Sequence, residues 1–100
     1  MSDRIFTLED IRQIIKPLAE KYRISEVFLF GSYARNEATS SSDIDLLVFG
    51  GNDFKLVNIL AFAEELRAVF NKNVDAFEIC ELDKGTDFYN TVMKERVKVA

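Results

Sequence analysis

Two aspartates one residue apart open an otherwise apolar run, Asp43-Ile44-Asp45-Leu46-Leu47-Val48-Phe49. Alternate side chains of a strand share a face, so Asp43 and Asp45 point the same way with Cα atoms about 6.6 Å apart. Packing alone gives no reason for an acid pair at the mouth of a buried strand. A third acid, Asp75, interrupts Val74-Asp75-Ala76-Phe77. If that run pairs beside the first, its carboxylate reaches the same face. Three carboxylates about 4 Å apart repel by several kcal/mol per pair at an effective dielectric near 20. Protonation or bound divalent cations must relieve that repulsion. Two magnesium ions roughly 3.5 to 4 Å apart would do so, and would clamp the attacking and leaving oxygens of a phosphoryl-type displacement. Asp43, Asp45 and Asp75 are therefore the candidate catalytic and metal-holding residues.

Ten residues separate Gly31-Ser32, at the end of the apolar run Val27-Phe28-Leu29-Phe30, from Asp43. A glycine there lets the backbone approach a ligand closely, and the N–H groups of a following turn favour anions. Ser32 can donate its hydroxyl to a phosphate oxygen. Arg35 lies one turn further on as a charge partner for phosphate or for a nearby acid. Ser42, in the run Ser40-Ser41-Ser42, is a further nucleotide-contact candidate, although loop serines are mostly solvated. Tyr33 is read as stacking near a nucleotide or as core packing.

These residues need a frame. Thr7 reads as an N-cap followed by acids, and Leu8, Ile11, Ile14, Ile15 and Leu18 recur at helical spacing through about Lys21. Pro17, inside that pattern, is expected to kink or divide the helix. The run Ile24–Phe30, apolar on both faces, predicts a strand covered on both sides. Residues 33–42 predict a loop with at most one helical turn, and Asp43–Phe49 a second strand. A turn at Gly50–Asp53 leads to a helix over Phe54–Phe70, whose buried stripe is read as Leu56, Ile59, Leu60, Ala63 and Leu66. Asn73–Ile79 predicts a third strand, Thr86–Lys94 a short helix and Val97–Val99 a last strand. The expectation is one α/β (α+β) domain over residues 1–100, a small mixed β-sheet packed with helices.

Composition narrows the chemistry further. The 100 residues contain no histidine and one cysteine, Cys80. Histidine-based nucleophilic machinery and thiol-rich zinc sites are thereby excluded, and hard oxygen ligands suit magnesium, calcium or manganese. A net charge of -4 without a long Lys/Arg cluster argues against direct nucleic-acid binding. No apolar run approaches the roughly 18 residues that cross a bilayer, and the polar start is unlike a signal peptide. A cytoplasmic protein with no membrane contact is expected. Phe54, Val57, Phe88 and Tyr89 exceed what so small a core needs and are read as a partner surface. Lys94, Glu95 and Arg96 read as a solvated helix end.

The string GSYARNEATSSSDIDLLV resembles the signature of the polymerase-beta-like nucleotidyltransferase superfamily: glycine-serine, a spacer, aspartate-X-aspartate, and a third acid on a later strand. The short chain and the tail NTVMKERVKVA resemble its minimal nucleotidyltransferase (MNT) branch, the MntA-like antitoxins of HEPN/MNT toxin–antitoxin pairs. The resemblance spans about Phe6 to Val99, and Gly31, Ser32, Asp43, Asp45 and Asp75 fill its key positions. It implies the nucleotidyltransferase fold, ATP as substrate, two Mg2+ ions held by Asp43, Asp45 and Asp75, and triphosphate contacts from Gly31 and Ser32. Asp75 would help remove the acceptor proton, and a tyrosine hydroxyl of a HEPN toxin would be the acceptor. Two other readings remain in view: a binding module that neutralises its partner without catalysis, and a nucleotidyltransferase acting on a small molecule such as an antibiotic. Oligomeric state, a homo-oligomer included, is left open by the sequence.

Overall fold

The structure, a computed structural model, describes residues 5–51, 55–79 and 83–100, with the side chain of Leu56 outside the description. The expectations for Cys80, Phe54 and the far half of the Gly50–Asp53 turn lie outside the described residues. The elements follow in the order α1 (Leu8–Lys21), β1 (Glu26–Phe30), β2 (Ile44–Phe49), α2 (Leu56–Phe70), β3 (Val74–Glu78), α3 (Asp87–Glu95) and β4 (Val97–Lys98). The four strands form one sheet in the order β3-β2-β1-β4. β1 is antiparallel to both β2 and β4, whereas β2 and β3 are parallel, which makes the sheet mixed.

Two of the helices begin where the sequence supplies a side-chain cap, whereas α2 follows Lys55 without one. Thr7 accepts from the Asp10 N–H at 3.1 Å while the Asp10 carboxylate accepts from the Thr7 N–H, a reciprocal capping box. Thr86 caps α3 in the same manner through the Tyr89 N–H at 3.2 Å. α1 runs unbroken through Pro17, whose ring lies on the exposed side, so the proline does not divide the helix. β1 starts later than Ile24 because the Ile24 N–H still bonds back to Ala19 at 2.9 Å, with Arg23 in the left-handed region at φ 57° closing the helix.

Strand alternation divides the sheet into two unequal faces. Val27 and Leu29 of β1, Ile44, Leu46 and Val48 of β2 and Val74 of β3 pack beneath α1 and α2, against Ile11, Ile15, Phe62, Leu66 and Phe70. This is the main core. On the opposite face Phe30 and Leu47 meet Val92 of α3, with Phe28, Phe49, Phe77, Ile79 and the α3 residue Met93 only partly buried around them. Among the described residues its cover is the nine-residue α3. The expected two-sided burial of β1 is therefore complete on one side and partial on the other.

The stripe on α2 also differs from expectation. Leu60 is 65% exposed, and Phe62 and Phe70 join Ile59, Ala63 and Leu66 in the core instead. α2 is apolar nearly all round, so periodicity alone did not single out its inward face. Val57, at 62% exposed, and Phe88, at 51%, do face outward, and Tyr89 is half-buried.

Candidate active site

The pleat that buries Ile44, Leu46 and Val48 against the helices must turn Asp45 to the thinly covered face. Asp43 precedes β2 by one residue and shares that parity. Parallel pairing with β3 then sets Asp45 directly opposite Asp75, and antiparallel pairing with β1 sets Asp45 opposite Phe30. Two acids thus meet across adjacent strands at the point where β1 ends and β2 and β3 begin.

Electrostatics records the crowding. The Asp45 carboxyl is pushed up from an ordinary value of 3.8 to about 6, first by burial and then by the charges of Asp75 and Asp43; Arg35 opposes the shift. Asp75 has one weak local partner, the Asn73 amide at 3.5 Å. Asp43 is exposed. As the side chains stand, no three acids among the described residues are close enough to hold a metal ion.

Gly31 ends β1 in the left-handed region at φ 75°. A Cβ placed there would come within 2.6 Å of Asp45 Oδ2, so only glycine leaves the carboxylate its space. The chain then turns. Arg35 N–H bonds to the Gly31 carbonyl at 3.1 Å, and Glu37 N–H to the Ser32 carbonyl at 2.9 Å. The backbone N–H groups of Ser32, Tyr33 and Ala34 open this turn, and among the described residues they find no acceptor. Hard carboxylate oxygens, a side-chain-free cradle beside them and a turn of free N–H donors form a donor set that suits a divalent cation bound with a phosphate chain.

Arg35 is engaged otherwise in this state. Its guanidinium bonds to Glu37 and to Glu95 on α3, both at 3.0 Å. Glu95 therefore belongs to the surroundings of the site, and Arg96 lies over the Phe28 ring at 4.9 Å, so the expected solvated helix end is tied down at both residues. Ser42 faces its own loop, its Oγ accepting from the Thr39 N–H at 2.8 Å. Tyr33 packs against the main core, and its buried hydroxyl has no hydrogen-bond partner among the described residues.

One residue beside the site was not legible in the sequence. Lys72 is only 4% exposed and donates from Nζ to the Ser40 carbonyl at 2.6 Å. A lysine between two asparagines after an apolar helix reads locally as a helix-end cation, and nothing in that pattern marks it as buried.

Comparison with known proteins decides the family. The sequence profile described as nucleotidyltransferase domain matches residues 11–99. The chain belongs to this nucleotidyltransferase family. The nucleotidyltransferase is 34% identical over 99 residues to the protein adenylyltransferase MntA of Thermococcus cleftensis, covering 95% of this chain and 98% of that one. Among solved structures, a chain of a toxin–antitoxin complex with AMP-PNP superposes at a TM-score of 0.74 and 19% identity, covering 89% of this chain and 72% of that one. A chain of the complex between tri-AMPylated Shewanella oneidensis HEPN toxin and its MNT antitoxin superposes at 0.69 and 17% identity, covering 94% and 72%. At those identities the structural likeness establishes the fold alone, a mixed four-stranded sheet with three helices among the described residues. No helix among the described residues is long and apolar enough to cross a membrane.

Proposed function

We propose that this nucleotidyltransferase moves AMP from ATP onto a hydroxyl, a tyrosine hydroxyl for choice, of a HEPN-domain toxin, and so acts as the antitoxin of the pair. The observation that carries the reading is Asp45 facing Asp75 across β2 and β3, with Asp43 two residues before it and Gly31 giving the carboxylate room. The near full-length similarity to a protein adenylyltransferase supports a protein as acceptor.

Asp43 and Asp45 would hold the magnesium of the incoming triphosphate, and all three acids a second ion. Magnesium, when bound, supplies charge neutralisation at the phosphates and lowers the pKa of the acceptor hydroxyl. The chain's own residues do the rest. The Ser32 hydroxyl and the turn N–H groups hold the triphosphate, joined by Arg35 once it leaves its carboxylate partners and by Ser42 once its hydroxyl turns from Thr39. The acceptor oxygen attacks the α-phosphorus in line, its proton passes to an Asp75 oxygen, and pyrophosphate leaves. A net charge of -4 without a long Lys/Arg cluster fits a protein acceptor better than a nucleic acid, and the lone Cys80 fits a cytoplasmic location.

A second reading, neutralisation by binding alone, draws on one observation: the three acids do not stand as a closed ion site. One experiment separates the two. The chain and the protein encoded beside it are incubated with ATP and magnesium, and both are weighed by intact mass spectrometry, with the Asp43→Asn/Asp45→Asn variant alongside. AMP-sized gains on the neighbour, lost with the variant, support transfer. An unmodified neighbour held in a tight complex leaves binding alone.

A further inference from the structure

Lys72 is the most deeply buried cation among the described residues, and the chemistry outlined above gives it no task. Burying an ammonium costs several kcal/mol unless its donors are well placed. The Lys72 Nζ donates to a main-chain carbonyl, that of Ser40, at 2.6 Å.

The location of that carbonyl gives the bond its meaning. Ser40 is exposed and sits in a serine-threonine loop that is closed on itself. Thr39 N–H bonds to Ser42 Oγ at 2.8 Å, Ser42 N–H to the Thr39 carbonyl at 3.0 Å, and the Thr39 and Ser41 hydroxyls meet at 3.2 Å. The next residue is Asp43. Local bonds of this kind shape the loop but do not fix it to the rest of the protein. Lys72 supplies such a tie from the segment leading into the other acid-bearing strand: Asn73, its neighbour, receives the Ile44 N–H on its carbonyl at 3.1 Å, and the Asn73 side chain reaches Asp75. The two strands that carry the acids are thus joined on one side of Asp43 by the Ile44–Asn73 bond and on the other by the Lys72 ammonium.

We infer that Lys72 is a positioning residue: by holding the Ser40 carbonyl it sets the approach of the main chain to Asp43, and with it the separation of Asp43 from Asp45 and Asp75. The inference rests on the reading of these acids as the cation site. It requires that loss of the ammonium loosen Asp43 without disturbing Gly31 or Ser32, so cation binding and turnover suffer.

The test pairs Lys72→Met, which keeps the apolar stem, with Lys72→Arg, which keeps a cationic donor. Mn2+ alone is the probe, titrated by electron paramagnetic resonance against each protein, with urea unfolding to show that each is folded. Removing a group that orients metal ligands typically costs about 10- to 100-fold in affinity or activity. Lys72→Met is expected to bind Mn2+ at least about tenfold more weakly and to lower kcat for AMP transfer by a similar factor. Lys72→Arg is expected to restore both to within about threefold. If Lys72→Met does not fold, Lys72→Gln, whose shorter head falls short of Ser40, takes its place with the same expectation. A folded Lys72→Met protein with wild-type Mn2+ affinity overturns the inference, as does one whose loss appears only in stability. Should the wild-type chain bind Mn2+ but transfer no nucleotide, the proposed function fails while the Mn2+ comparison still decides the role of Lys72.

Discussion

Replacing Asp45 with asparagine is expected to abolish transfer and to make the protein more stable. The Asp45 carboxyl titrates near 6 in the fold against an ordinary value of 3.8, so the folded protein holds that proton more tightly than the unfolded chain. Below the ordinary value both states are protonated and Asp45 has no influence on stability. As pH rises from about 4 to about 6 the unfolded chain ionises first, and stability is lost; above about 6 the penalty is complete. A shift of this size corresponds to at most about 3 kcal/mol. Asp45 keeps part of its surface in water, and screening reduces the figure to about 1 to 2 kcal/mol. Asparagine keeps the shape and removes the charge. Urea unfolding in the presence of a chelator should therefore show Asp45→Asn more stable than the wild type by about 1 to 2 kcal/mol at pH 7.5, with the two converging near pH 3.5. Saturating magnesium should narrow the gap at pH 7.5, because the ion relieves the wild-type repulsion. A variant no more stable than the wild type at pH 7.5, or one whose gain is the same at both pH values, would refute the view that burial and the neighbouring acids disfavour the Asp45 carboxylate.

Gly31→Ala introduces a Cβ into the 2.6 Å gap beside Asp45 and strains a backbone at φ 75°, for an expected loss of about 1 to 3 kcal/mol in urea unfolding and a larger loss of transfer activity. Unchanged activity would show that the close approach of that turn is not needed. Phe62→Ala, in the main core beneath α2, should cost about 3 to 5 kcal/mol by the same method; a cost below about 1 kcal/mol would mean that the α2 side of the sheet is far looser than its full burial indicates.

Much of this architecture could be read from local pattern, and the exceptions have a common cause. The Asp43–Asp45 pair and the strand it opens are visible because strand alternation is a two-residue rule, and the helix cap at Thr7 because it acts over three residues. The inward face of α2 was misjudged at Leu60 because a helix apolar on every side carries no direction. The parallel register that sets Asp75 against Asp45 was an assumption about which strands are neighbours, and the intervening helix does not encode it locally. Arg35 with Glu95, and Lys72 with Ser40, join segments far apart in the chain. Each side chain is ordinary where it stands in the sequence, and only the fold gives it a partner.

The parallel pairing of β2 with β3 has a kinetic consequence. Parallel neighbours need a crossover, here α2, so Asp45 and Asp75 come together only after that helix has docked. A cation that needs both acids has nothing to grip in an earlier, partly folded chain. Divalent ions should then leave the folding rate nearly unchanged and slow the escape from the native state. In a cell such an ion would protect the finished enzyme against unfolding without hastening its birth.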